Sequence, residues 1–155
     1  MRKLILAALV LAACAKSDDA AIDTTAAAAA EPAAPALTPV QAMYAGTWEG
    51  RSYRAGASPS DTGSKWVMTF TAADTGLTGT LRFDGQSTDI PIRVDEASTS
   101  GMRTTFGPYT SPTVGNVEVT TTTDGRIQGD SLFGSFVASP STGDRFSGRF
   151  AARRQ

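Results

Sequence analysis

The run Trp66-Val67-Met68-Thr69-Phe70-Thr71-Ala72-Ala73-Asp74-Thr75-Gly76-Leu77-Thr78-Gly79-Thr80-Leu81-Arg82-Phe83 decides the fold class. Trp66, Met68 and Phe70 alternate with Val67, Thr69 and Thr71; Asp74-Thr75-Gly76 makes a turn; Leu77, Leu81 and Phe83 then alternate with Thr78, Thr80 and Arg82. Alternation of period two on both sides of a short turn marks an antiparallel hairpin with one buried face. The pattern continues outward. Ile90, Ile92 and Val94 alternate with Asp89, Pro91 and Arg93. Met102, Thr104 and Phe106 follow, then Val117 and Val119, and finally Phe146 and Phe150 between Arg145, Ser147 and Arg149. Asp84-Gly85, Ser100-Gly101, Asp124-Gly125 and Thr142-Gly143-Asp144 supply further turn signals.

These segments predict an all-β domain over residues 42–155, a usual size for one hydrophobic core. With no helix expected to cover a sheet face, the pattern predicts a single antiparallel up-and-down barrel of about eight strands. A β-sandwich is the alternative. An apolar-x-Gly repeat favours closure: Trp48-Glu49-Gly50, Leu77-Thr78-Gly79, Ile127-Gln128-Gly129 and Phe146-Ser147-Gly148 each put a glycine on the apolar face, where it permits the bend a small barrel requires. The abundant threonines, with Thr120 to Thr123 consecutive, suit exposed strand faces.

Ahead of the domain, Arg2 and Lys3 precede an apolar run, residues 4–11, and the small pair Ala12-Ala13, the layout of an export signal. Lys16, Ser17, Asp18 and Asp19 end the run well short of the about 20 apolar residues that span a bilayer. The order Leu11-Ala12-Ala13-Cys14 resembles the lipobox of bacterial lipoproteins. That resemblance implies that residues 1–13 are a signal peptide removed before Cys14, and that Cys14 is the lipid attachment site, acylated on its thiol and its new amine. The alternative is an ordinary secretory signal with a chance cysteine. Ala15, where an inner-membrane retention signal would resemble Asp, implies the outer membrane facing the periplasm. Residues 14–41 then form an Ala- and Pro-rich tether, since Pro32 and Pro35 break the alanine run and no apolar face is present to dock.

Charge narrows the partners. Of 14 Lys and Arg, three (Arg2, Lys3, Lys16) precede the domain, and of 15 Asp and Glu, four do (Asp18, Asp19, Asp23, Glu31), so the domain carries 11 of each. A neutral domain lacks the basic footprint of a nucleic-acid binder. The partners expected are the membrane through the lipid anchor and either a small apolar ligand or another envelope protein; the chain is expected to be a monomer.

The start of the domain, Gly46-Thr47-Trp48, resembles the Gly-x-Trp of lipocalins and other calycin barrels. The resemblance implies a basic residue from the end of the barrel lying across the indole. Arg149, Arg153 and Arg154 are available, and Trp48 with Arg149 is the pair expected. Residues 71–80 resemble the second hairpin of avidin-type barrels. Gly50 and Leu81 stand where that family has a biotin-binding asparagine and a tyrosine, so biotin binding does not carry over.

No catalytic constellation emerges, and no enzyme activity, metal or cofactor is expected. Gly129-Asp130-Ser131-Leu132 spells the nucleophile block of a lipase and esterase family, but that block needs a histidine to activate the serine and the chain has none. Lack of histidine also removes the usual transition-metal ligands, and Asp61, Asp84 and Asp124 do not form a calcium-loop ladder. Asp95-Glu96 reads as a solvated strand end rather than a glycosidase pair. Two site readings remain. Trp48, Trp66, Phe70, Phe83 and Phe106 can line a ligand cavity, though aromatics at period two also serve as plain core. Alternatively, the loops at residues 55–64 and 110–115 can carry a protein interface.

Overall fold

The computed structural model describes residues 37–155; Cys14, the signal peptide and most of the tether lie outside them. A short helix, α1 (Pro39–Tyr44), leads into eight strands: β1 (Gly46–Arg54), β2 (Ser64–Ala73), β3 (Gly76–Phe83), β4 (Ile90–Ala97), β5 (Met102–Ser111), β6 (Val117–Gln128), β7 (Ser131–Pro140) and β8 (Phe146–Arg154). Each strand pairs antiparallel with the next, and β1 also pairs with β8, so the sheet is a closed up-and-down barrel. The barrel, not the sandwich, is the observed form. Closure gives each described strand a hydrogen-bonded neighbour on both sides.

The quoted hairpin forms as its alternation requires, with Trp66 opposite Phe83, Met68 opposite Leu81 and a tight turn at residues 74–75. Its apolar residues are buried at 2–5% exposure for Trp66, Met68, Phe70 and Leu81. Inward glycines make room for rings on the neighbouring strand. Gly50 faces Trp66, Gly79 faces Phe70 and Gly148 faces Phe136 in the strand register. A Cβ at any of the three would fall 2.5–2.7 Å from the facing ring, so each ring occupies space its partner leaves free. The fourth glycine of the repeat, Gly129, instead sits in the β6–β7 turn at φ 57°.

One turn expected from sequence needs correction. Asp124-Gly125 is not a turn but lies within β6, because Gly125 is an inward glycine covered by the Phe150 ring, and Asp124 is held outside by Arg103 at 2.8 Å. The helix was not expected either. Thr38 caps it through a capping box with Gln41, and Pro39 occupies its first turn, where a missing N–H is harmless.

Helix α1 closes one end of the barrel. Tyr44 and Trp48 are fully buried there; the Trp48 indole N–H donates to the Tyr44 carbonyl at 2.9 Å and the Tyr44 hydroxyl to the Ser98 carbonyl at 3.1 Å. Gln41 donates to the Ala73 and Gly76 carbonyls across the β2–β3 turn. The cation over the indole is Arg154, 4.4 Å from the ring centroid, and its guanidinium also donates to the carbonyls of Met43 and Ala45. It is not Arg149. Phe146, Gly148, Phe150 and Ala152 face inward, so period two puts Arg154 inward as well and leaves Arg149 and Arg153 exposed on the outer wall.

Candidate functional site

Up-and-down topology sends the loops 55–63, 84–89, 112–116 and 141–145 to the end opposite α1. That end is open. A cavity of about 410 Å³ descends from it into the lumen, within the ~300–1,000 Å³ range of small-molecule sites. Its wall is built from inward positions: Trp66 and Met68 of β2, Leu81 and Phe83 of β3, Phe106 and Tyr109 of β5, Thr121 and Thr123 of β6, Phe136 of β7, and Phe146 and Phe150 of β8.

The rings form two groups. Trp66 meets Phe150 edge-on at 6.0 Å, while Tyr109 lies between Phe83 at 5.5 Å and Phe106 at 5.8 Å. Charged side chains occur only at the rim of this cavity, where Arg54 and Lys65 are balanced by Asp61 and Asp84. Arg54 stacks on the Phe146 ring at 3.8 Å, and Lys65 is paired with Glu49 at 2.7 Å, which raises its pKa. Asp61 accepts from the Gly63 N–H and shapes the 55–63 loop. The rim is electrically balanced, and the deeper wall carries only uncharged side chains.

Of the five aromatics predicted from sequence to line a cavity, Trp66, Phe83 and Phe106 do so. Trp48 and Phe70 lie below it. Trp48 belongs to the α1 plug, and Phe70 fills the space over Gly79. Both are core rather than lining.

Several lining residues were not anticipated. The β5–β6 register shifts between Phe106 and Tyr109, so both face inward although they are three positions apart. Thr121 and Thr123, expected on the outer face, are 4% and 7% exposed and point into the lumen. The signal was present in sequence, since Val117 and Val119 extended by two reach Thr121 and Thr123.

Hydroxyls concentrate on this β5–β6 wall. Thr104 and Thr123 are bonded to each other at 2.7 Å, whereas the Tyr109 and Thr121 hydroxyls stand 3.5 Å apart. Burial raises the Tyr109 pKa, an effect its contact with Thr121 only partly offsets, so the phenol stays protonated and remains a donor at neutral pH.

Ser131 of the Gly129-Asp130-Ser131-Leu132 motif starts β7 at the closed end, opposite the cavity mouth. Among the described residues no group of acidic or sulfur ligands is placed to hold a metal ion. No family model matches the chain, and neither a curated protein nor a solved structure matches it; the barrel agrees with the architecture that the lipocalin and avidin resemblances imply, and those resemblances rest on the quoted motifs.

Proposed function

We propose that this protein is a lipid-anchored envelope protein whose barrel takes a small, largely apolar ligand through its open end. The observation that carries the ligand reading is the asymmetry of the barrel: one end is plugged by Tyr44, Trp48 and Arg154, while the other leads into a ring-lined cavity of about 410 Å³. A barrel of eight strands either fills its interior with side chains or holds one small ligand. Here Tyr44 and Trp48 fill the α1 end, and the opposite end is open. The lipobox-like Leu11-Ala12-Ala13-Cys14 supports an anchor at the outer membrane facing the periplasm, with the residues between Cys14 and the helix cap Thr38 as the tether. A neutral domain with a closed sheet suits a monomer that binds neither nucleic acid nor a headgroup surface, and no catalytic role is assigned to it.

Two readings of one chain test this. Cys14→Ser should move the protein from the membrane to the soluble fraction; retention in the membrane would overturn the anchor. The released Cys14→Ser chain should gain thermal stability with rising naphthalene concentration, as any ligand confined to the folded state requires. Ser52→Phe, which puts a ring at an inward position of the cavity wall, should abolish the gain while leaving the melt of the free protein cooperative. Absence of any naphthalene-dependent shift in the parent would overturn the ligand reading.

A further inference from the structure

The lumen is two-sided, and its sides differ in chemistry. Trp66 and Met68 stand on β2, and Thr121 and Thr123 on β6. These strands are four apart in a closed ring of eight, so they face each other across the lumen. Strand β2 offers an indole and a thioether, and β6 opposite it offers hydroxyls.

The hydroxyls are not equivalent. Thr104 and Thr123 satisfy each other at 2.7 Å, a full-strength hydrogen bond that ties β5 to β6. The Tyr109 and Thr121 hydroxyls approach only to 3.5 Å, the outer limit of such a bond. A hydroxyl carries one donor and two acceptor sites, so this pair holds most of its capacity unused, and it does so on the cavity wall, where the Tyr109 ring lies between those of Phe83 and Phe106. A purely apolar occupant would leave both hydroxyls dry and poorly bonded, which costs more than a missing contact.

The geometry points to an uncharged, planar ring compound carrying one hydrogen-bonding group, a hydroxyl or carbonyl, seated on the Tyr109 and Thr121 hydroxyls with its ring among the cavity aromatics. This deepens the ligand reading above and rests on it. A charged ligand is disfavoured because the charged lining residues all lie at the rim, balanced in sign, and the deeper wall holds only neutral groups. Saturated chains gain less here than flat rings, because offset and edge-to-face ring contacts add to the area buried.

The test compares naphthalene with 2-naphthol, which share one ring system and differ by one hydroxyl, in calorimetric titrations of the full chain carrying Cys14→Ser. Thr121→Val, nearly isosteric, is expected to weaken 2-naphthol about tenfold, as removal of one hydrogen bond predicts, and not to weaken naphthalene, which leaves that hydroxyl unbonded. Tyr109→Phe removes the other hydroxyl and should act in the same direction, which keeps the test open if one variant folds poorly. Saturable naphthalene binding with 2-naphthol affinity unmoved by both variants would overturn this inference and leave the ligand reading standing. Equal losses for both compounds would also overturn it, since they would report a change of shape rather than a lost bond. No saturable binding of either compound to the parent would overturn both.

Discussion

Gly134→Ala is expected to lower the unfolding free energy by about 3 kcal/mol, the upper end of ordinary overpacking costs. A Cβ at Gly134 would lie 2.0 Å from the Asp124 carbonyl oxygen and 2.8 Å from Gly125 Cα. Both obstacles are backbone, and they belong to the β6–β7 ladder in which Gly125 faces Gly134. A flexible side chain can swing away; a hydrogen-bonded strand cannot. Gly85→Ala is the control, because nothing lies within 4 Å of its Cβ and only its φ of +77° is unfavourable, a cost of about 1–2 kcal/mol. Urea unfolding should therefore rank Gly134→Ala below Gly85→Ala. The reverse order would show that the close approach of β6 and β7 is not what shapes this part of the wall.

Trp48→Ala should cost about 3–5 kcal/mol, as expected for removing a fully buried indole, and should do more than hollow the core. The indole N–H satisfies the Tyr44 carbonyl, and its face carries Arg154, which in turn holds the carbonyls of Met43 and Ala45. Losing the ring removes the donor to the Tyr44 carbonyl and the surface on which Arg154 lies, leaving α1 held by the bonds of Gln41, the Tyr44 hydroxyl and an unsupported Arg154. Arg154→Met keeps much of the apolar volume and discards the charge-assisted bonds, so it should fall between Trp48→Ala and the parent. Urea midpoints check the order. A Trp48→Ala midpoint equal to that of the parent would mean that the plug does not hold this end shut.

Period-two alternation made most of the barrel legible. The 66–83 hairpin and the inward faces of β4 and β8 follow from it; closure did not, since alternation fits a sandwich equally, and was favoured by the apolar-x-Gly repeats, three of which proved to be gaps for a neighbouring ring. What escaped did so for local reasons. Asp124-Gly125 carries a strong turn signature, yet Phe150 needs the missing side chain of Gly125, and tertiary packing overrode turn chemistry. Tyr109 was hidden because the bulge between Phe106 and Tyr109 shifts the alternation, and a bulge cannot be read from alternation itself. Thr121 and Thr123 were placed outside on residue type although their position already placed them inside. Arg154 was passed over for Arg149 against the same rule. Where residue type and period disagreed, period was right.

The candidate site was half legible. Trp66, Phe83 and Phe106 could be named from sequence, but whether rings fill a lumen or border a space depends on the summed volume of residues from all eight strands. Trp48 and Phe70 share the pattern of the lining residues and differ only in depth, which alternation does not encode.

The most direct measurement is the position of a bound ring. A crystal of the protein grown with 2-bromonaphthalene should show one strong bromine anomalous peak inside the barrel, among Trp66, Phe83, Phe106 and Phe150, with the α1 end still closed by Trp48 and Arg154. Bromine confined to the outer wall, or a lumen refilled by the Trp66 and Phe83 side chains with no bromine present, would contradict a ligand-holding barrel.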